Sequence, residues 1–350
     1  MIHNLLITGA AGYIGGSVLA DFVGRSSDSA IGKANISAIV RREEQMERLQ
    51  KLGITVICVD LLDEVAIHDI VQSHKTSIRV VDAIVHLASS HDARIASFLI
   101  KALGRRGQDT STETHFIHAS GTTAFAPEAG WPLDITQDTS DIYRTEKKIA
   151  SNNVIRLTDI TVIEEGNANG VATYIVVIPS VYGTGSGEFH RLSIALPMFV
   201  RASVKDKRVC RYNKSGKPGA THISDIVAFY GLLVGNILEN KPVPKNENGY
   251  YFAVAHKISS QQLMQQIAEH LYDLGLVTEP TTYLWPSDEA AGASLGLPPQ
   301  IAHLMGTHST ELVPVKPYEL GWKPQWTEEK LFLNLWQEIR DIVELDSATT

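Results

Sequence analysis

Close to its start the chain runs from a short apolar segment, Leu5-Leu6-Ile7, straight into Thr8-Gly9-Ala10-Ala11-Gly12-Tyr13-Ile14-Gly15-Gly16. The apolar run predicts a buried parallel strand. Ile14, Val18, Leu19 and Phe22 then recur at helical spacing. Strand, glycine turn and helix in that order is the context that makes a glycine motif a dinucleotide-binding candidate. Gly9 lets the chain turn off the strand, Gly12 lets backbone approach a pyrophosphate, and Gly15 lets the new helix pack tightly on the sheet. The helix start at Tyr13 and Ile14 then offers unpaired N–H groups and a positive dipole end to phosphate.

A chain of 350 residues can bury one large α/β core with a smaller lobe attached. Its net charge of −8 argues against nucleic acid as a partner, because a phosphate backbone requires a basic surface. Cys58 and Cys210 fit no disulfide or metal pattern, so a reducing compartment, cytoplasmic in this reading, is expected with no bound metal. The first strand begins almost at once, which leaves no room for a signal peptide, and no apolar run nears the roughly 18 residues of a membrane span.

A second strand, Ile36 to Val40, ends in Arg41-Arg42 rather than in Asp or Glu. Arginine at this strand end pairs with the 2′-phosphate of NADP, whereas a carboxylate would select the ribose hydroxyl of NAD. NADP is therefore expected over NAD, with Arg41 as its contact. A third strand, Thr55 to Val59, closes in Asp60-Leu61, and Asp60 reads equally as a helix cap. The fourth is Ala83 to Leu87, followed by Ala88, with His86 inside the strand and hence structural. The fifth, Phe116 to Ala119, leads into Ser120-Gly121-Thr122-Thr123. Tyr143-Arg144-Thr145-Glu146-Lys147 follows. Residues four apart share a helix face, and an ammonium beside a phenol favours phenolate, so Tyr143 and Lys147 form a candidate acid/base pair. A sixth strand, Thr173 to Ile178, ends at Pro179-Ser180-Val181-Tyr182-Gly183.

The spacing Gly-Ala-Ala-Gly-Tyr-Ile-Gly, Tyr-x-x-x-Lys between strands five and six, Ser180-Val181-Tyr182-Gly183, His222-Ile223-Ser224-Asp225 and Leu320-Gly321-Trp322-Lys323-Pro324 together resemble the extended short-chain dehydrogenase/reductases. The resemblance spans nearly the whole chain. It implies a doubly wound, mostly parallel Rossmann sheet over residues 1–182, with 220–255 partly returning to it, and a substrate-binding lobe over 183–345. It implies Asp60 and Leu61 beside the adenine, Leu87, Ala88 and Pro179 about the nicotinamide, and Lys147 on its ribose. The family's catalytic hydroxyl falls on Gly121, so Ser120 or Thr122 must serve instead. A homodimer through helices near 93–103 and 140–157 is also implied.

Dehydratase chemistry is disfavoured, because Thr122-Thr123 stands where such enzymes carry acidic residues. Six cations between Lys205 and Lys217 read as a solvated stretch or as a diphosphate clamp. The leading expectation is an NADP-dependent oxidoreductase moving hydride between nicotinamide and a small carbonyl or alcohol, with Tyr143 as acid/base. The alternatives are a nucleotide-sugar epimerase and a non-catalytic, NmrA-like cofactor sensor.

Overall fold

The computed structural model describes residues 3–72, 81–132, 135–150 and 153–347. The first half alternates strand and helix: β1 (Asn4–Thr8), α1 (Tyr13–Gly24), β2 (Asn35–Val40), α2 (Glu43–Gln50), β3 (Thr55–Cys58), α3 (Glu64–Gln72), β4 (Ala83–His86), α4 (Ala93–Thr110) and β5 (Thr114–Gly121). A two-residue β6 (Thr136–Gln137), α5 (Ile142–Ile149), α6 (Val154–Asn169), β7 (Val171–Ile178) and β8 (Ser180–Tyr182) follow. The remainder holds α7 (Ala195–Asp206), β9 (Val209–Arg211), β10 (Gly219–His222), α8 (Ile223–Leu238), β11 (Tyr250–Phe252), β12 (His256–Lys257), α9 (Ser260–Asp273), β13 (Thr282–Leu284), α10 (Asp288–Leu295), α11 (Pro299–Thr307), β14 (Leu312–Val313), α12 (Lys316–Glu319) and α13 (Glu328–Ser347).

Seven strands form one parallel sheet in the order β11-β7-β5-β4-β1-β2-β3. Helices cover both faces, as the long apolar strands require: all eight residues of β7 are buried. The strand order reverses between β1 and β4, which opens a crevice at their C-terminal ends where doubly wound sheets hold ligands. Leu5, Ile7, Val18 and Phe22 pack with α8 on one face, and Leu6, Ile84, Leu99 and Val162 pack on the other. A separate core of Phe199, Met264, Ile267, Leu271, Leu335 and Ile339 joins α7, α9 and α13.

Two motifs fix how the second lobe returns to the first. His222 caps α8 by accepting from the Ser224 N–H at 3.2 Å and stacks on Trp326 with ring centres 3.8 Å apart. Asp225 accepts from the backbone N–H groups of Gln325 and Trp326. Trp322 in turn donates its indole N–H to the Asp225 carbonyl at 2.9 Å. A glycine-rich loop, residues 183–187, follows β8. It folds onto α1: the Tyr13 hydroxyl donates to the Gly183 carbonyl at 2.6 Å, and the Ser186 N–H donates to Ser17 Oγ at 3.2 Å.

Beneath the strand ends lies a row of buried polar side chains. Thr8, His86 and His118 are register neighbours on β1, β4 and β5, and all three are fully buried. Thr8 Oγ1 and His86 Nδ1 are 2.7 Å apart, and the two imidazoles stack at 5.5 Å. Burial lowers His86 to about 4 and His118 well below its ordinary value. Since the unfolded chain takes up these protons near pH 6.5 and the folded chain does not, stability is present above that pH and is lost as pH falls toward 4. His86 contributes up to about 3 kcal/mol to that loss, and His118 acts in the same direction. The buried Asp159 and Glu338 carboxyls, held up to about 8 and about 7, act in the opposite sense. The histidine contribution is therefore read as a difference: in urea unfolding, His118→Phe should lose less stability between pH 7 and pH 4 than the unaltered protein. An identical slope in the two proteins would contradict this assignment.

Candidate functional site

The glycine turn is built by close approach rather than by flexibility alone. Gly9 has a φ of +74°, and a β-carbon on it would stand 2.5 Å from the Leu87 carbonyl carbon. A β-carbon on Gly15 would stand 2.2 Å from the Gly9 oxygen. Both positions exclude every side chain but hydrogen, so α1 begins directly against the ends of β1 and β4. Gly12, Tyr13 and Ile14 are partly open there, and Leu87 and Ala88 form the facing wall. This concave backbone at a helix start fits a dinucleotide pyrophosphate.

Arg41 lies exposed just past β2, with no acidic partner among the described residues. Asp60 is exposed at the end of β3 and makes a local turn, its Oδ1 accepting from the Leu62 N–H at 3.0 Å. The helix cap goes instead to Asp63, which accepts from the Ala66 N–H at 3.0 Å. Leu61 is buried beneath this turn, and Pro179 is buried against Gly219 at the end of β7.

The proposed acid/base residues are not brought together with this cradle. Tyr143 donates its hydroxyl to Glu164 Oε1 at 3.3 Å, and Lys147 pairs with the same oxygen at 2.8 Å. Ile155 on α6, in contrast, faces the strand end, since a β-carbon on Gly121 would meet its Cδ1 at 3.6 Å. Glu164 lies nine residues further along α6, a rise of about 13 Å toward the opposite end of the sheet. Gly166, two residues on, already packs against Thr173, whose register partner is Phe116 near the start of β5. The expectation that Lys147 draws the phenol down also fails. Burial, with Glu164 beside it, outweighs Lys147 and raises Tyr143 above its ordinary value. The spacing on one helix face is real, but α5 presents that face to α6. The single helix expected over 140–157 is likewise split between α5 and α6, with 151 and 152 outside the described residues.

Ser120 turns into the core, donating to Asp159 Oδ2 at 2.6 Å, and both are buried. Its proton is thereby committed away from the crevice. Thr122 is buried in the single turn Thr122–Phe125. Thr123, which sequence reasoning passed over, is only partly buried and places its Oγ1 3.8 Å from where a Gly121 β-carbon would sit. The missing side chain at Gly121 thus leaves a notch bounded by the Thr123 hydroxyl and Ile155. The only signal in the sequence was a second hydroxyl two residues past the glycine.

Gly121 is the register partner of Ile178, and the chain from Ile178 passes through Pro179 to Ser180. There a cleft of about 810 Å³, counted to its open mouth, begins at Ser180 and Tyr182 and runs into the second lobe. Leu196, Phe199, Met264, Trp285 and Met305 supply apolar walls. Of the six cations between 205 and 217, only Arg211 and Lys214 line it, and Lys205, Lys207, Arg208 and Lys217 are exposed elsewhere. The described residues hold no cluster of His, Cys, Asp or Glu suited to a metal, and none of their helices is long and apolar enough to cross a membrane.

The sequence matches the model of the NAD dependent epimerase/dehydratase family over residues 5–243. The chain belongs to that family. Among solved structures, this epimerase/dehydratase family member is similar to dTDP-glucose 4,6-dehydratase from Streptomyces venezuelae with NAD bound, at 14% identity, TM-score 0.66 and 97% coverage of both chains. It is similar to UDP-glucose 4-epimerase from Thermotoga maritima with UDP-glucose, at 15% identity and TM-score 0.64, covering 97% of this chain and 99% of that one. Vestitone reductase from alfalfa gives 15% identity and TM-score 0.60, covering 98% and 99%. At these identities the likeness establishes the shared α/β Rossmann fold. A search of curated proteins finds no match.

Because Tyr143 and Lys147 face Glu164, removing them should leave dinucleotide binding intact. NADPH titrated by fluorescence should bind Tyr143→Phe and Lys147→Ala within about twofold of the unaltered protein. A tenfold loss in Lys147→Ala would return that ammonium to the cofactor ribose.

Proposed function

We propose that this family member binds NADP(H) across the ends of β1 and β4 and exchanges hydride with a small carbonyl or alcohol in the neighbouring apolar cleft. The observation that carries this reading is the junction at Gly121 and Ile178, which puts the notch at the end of β5 beside the cleft's inner end. Gly9, Gly12, Tyr13, Ile14 and Gly15 hold the pyrophosphate, Arg41 the 2′-phosphate, Asp60 and Leu61 the adenine, and Leu87, Ala88 and Pro179 the nicotinamide side. The dinucleotide supplies the hydride. The chain supplies the Thr123 hydroxyl, which polarises the carbonyl oxygen by donating a hydrogen bond to it, and Ile155, which packs against that end of the notch. The proton that completes the alcohol comes from water entering by the cleft's open mouth.

Arg41 favours NADP because a guanidinium meets a phosphate through two parallel hydrogen bonds. The solved relatives named with a cofactor carry NAD, and this chain departs from an NAD site at the end of β2. A reducing, cytoplasmic setting accords with free Cys58 and Cys210. Pairing of two copies through the outer face of α4 and α6 accords with the exposure of Val154 and Leu157.

A second reading, a cofactor sensor without turnover, is favoured by one observation: Tyr143 and Lys147 lie on the flank rather than in the crevice. Nucleotide-sugar epimerisation is the weaker alternative, since four of the six basic residues point away from the cleft.

Calorimetry should give tighter binding of NADPH than of NADH, with Arg41→Asp eroding the difference by about 1.5–3 kcal/mol. NADPH oxidation with a panel of small ketones and aldehydes should then proceed. Tighter NADH binding to the unaltered protein would remove the cofactor assignment, and NADPH binding without turnover across the panel would favour the sensor.

A further inference from the structure

Arg211 is the unexplained charge in the cleft. It ends β9, is half-buried and lines a mostly apolar cleft beside Phe199, Met264 and Trp285, with Tyr212, Ser215, Ser260 and Gln261 among its polar members. Its guanidinium is held in place rather than free to reach solvent: Nε donates to Thr282 Oγ1 at 3.0 Å, and Nη1 donates to the Tyr212 carbonyl at 3.0 Å. Both partners are neutral. Among the described residues no carboxylate lies within ion-pairing distance of it, although the chain carries 39 acidic residues against 31 basic ones. A cation drawn out of water and oriented by neutral acceptors is costly unless an anion completes it. Lys214, the other cation lining the cleft, already pairs with Glu128 at 3.1 Å and is exposed, so it does not compete for that anion.

We propose that the cleft takes a small organic acid, its apolar or aromatic body against Phe199, Met264 and Trp285 and its single carboxylate on Arg211. This deepens the reading of an oxidoreductase acting on a small carbonyl or alcohol and rests on it for the reacting end of the molecule. A nucleotide sugar needs cations for two phosphates and polar walls for a base and a hexose. Here a single unpaired guanidinium stands where two phosphates would need more, and the walls, though they include Ser215, Ser260 and Gln261, are mostly apolar. An uncharged apolar molecule would fill the walls and leave Arg211 without a counter-ion. A carboxylate also matches the planar fork of a guanidinium, accepting two parallel hydrogen bonds where a point charge would make one.

The test uses the full chain and reads binding without turnover, so it stands apart from the hydride-transfer assay. The probes are 4-phenylbutyrate, its neutral counterpart 4-phenyl-1-butanol, and UDP-glucose, each titrated by calorimetry and by quenching of tryptophan fluorescence. Phenylbutyrate should bind more tightly than phenylbutanol by at least tenfold. Arg211→Met should remove that advantage, lowering carboxylate affinity ten- to a hundredfold while leaving the alcohol within about twofold. Arg211→Lys, which keeps the charge and loses the fork, should fall between them, and circular dichroism confirms that each variant is folded. Equal affinity for acid and alcohol, tighter binding of UDP-glucose, no binding of phenylbutyrate, or an Arg211→Met protein that still prefers the acid would each overturn the proposal. A protein that binds the acid through Arg211 yet oxidises no NADPH would keep this inference and remove the hydride-transfer reading.

Discussion

The backbone of Gly9 and the backbone of Leu87 approach so closely that a single β-carbon at Gly9 would be 2.5 Å from its neighbour. The cofactor cradle depends on that approach. It draws the start of α1 over the ends of β1 and β4, at the point where strand order reverses. From β4 the parallel register passes to β5 and β7, so Gly121 stands beside Ile178, and the chain leaving Ile178 opens the cleft. A tight glycine turn is thus connected to the cleft by two strand pairings, β4 with β5 and β5 with β7.

The fold was legible because its signals are local and agree with one another. Leu5 to Ile7, the glycines after it, and the apolar strands at 83 and 173 each specify a buried parallel strand, and every such strand pairs as its place in the order requires. The cofactor cradle was legible because the glycine spacing is itself local: Gly15 is demanded by the Gly9 carbonyl within the same turn, although the contact that demands Gly9 comes from Leu87 on a distant strand end. The catalytic pair was not. Tyr143 and Lys147 do share a helix face, but four-residue spacing says nothing about which way that face turns. Their orientation is set by long-range partners: Glu146, buried beneath them, accepts from the Tyr250 hydroxyl at 2.5 Å, and Ile142 packs in the core. Tyr250 is 104 residues further along the chain, a contact that no local pattern could announce.

The orientation of Ser120 is likewise set by a long-range partner. The place of Ser120 at the end of β5 suggests a hydroxyl free for a substrate, yet strand alternation points it to the same face as His118, where Asp159 accepts its hydrogen bond. Burial raises the Asp159 carboxyl to about 8, with the Ser120 hydrogen bond offsetting only part of that shift. The polar side chains under the crevice therefore organise the sheet, and the groups that meet a ligand lie outside that row, among them the backbone N–H groups at α1, Arg41 past β2, the Thr123 hydroxyl and Arg211 deeper in the cleft.

The central claim is that the reacting end of this molecule is the notch at Gly121, Thr123 and Ile155, not the surface pair on α5. A crystal structure with NADPH bound would test it directly. The account predicts the nicotinamide ring at the end of β5, against Ile155 and within hydrogen-bonding reach of Thr123, with its open face toward Ser180. A nicotinamide seated against Tyr143 and Lys147 would contradict it.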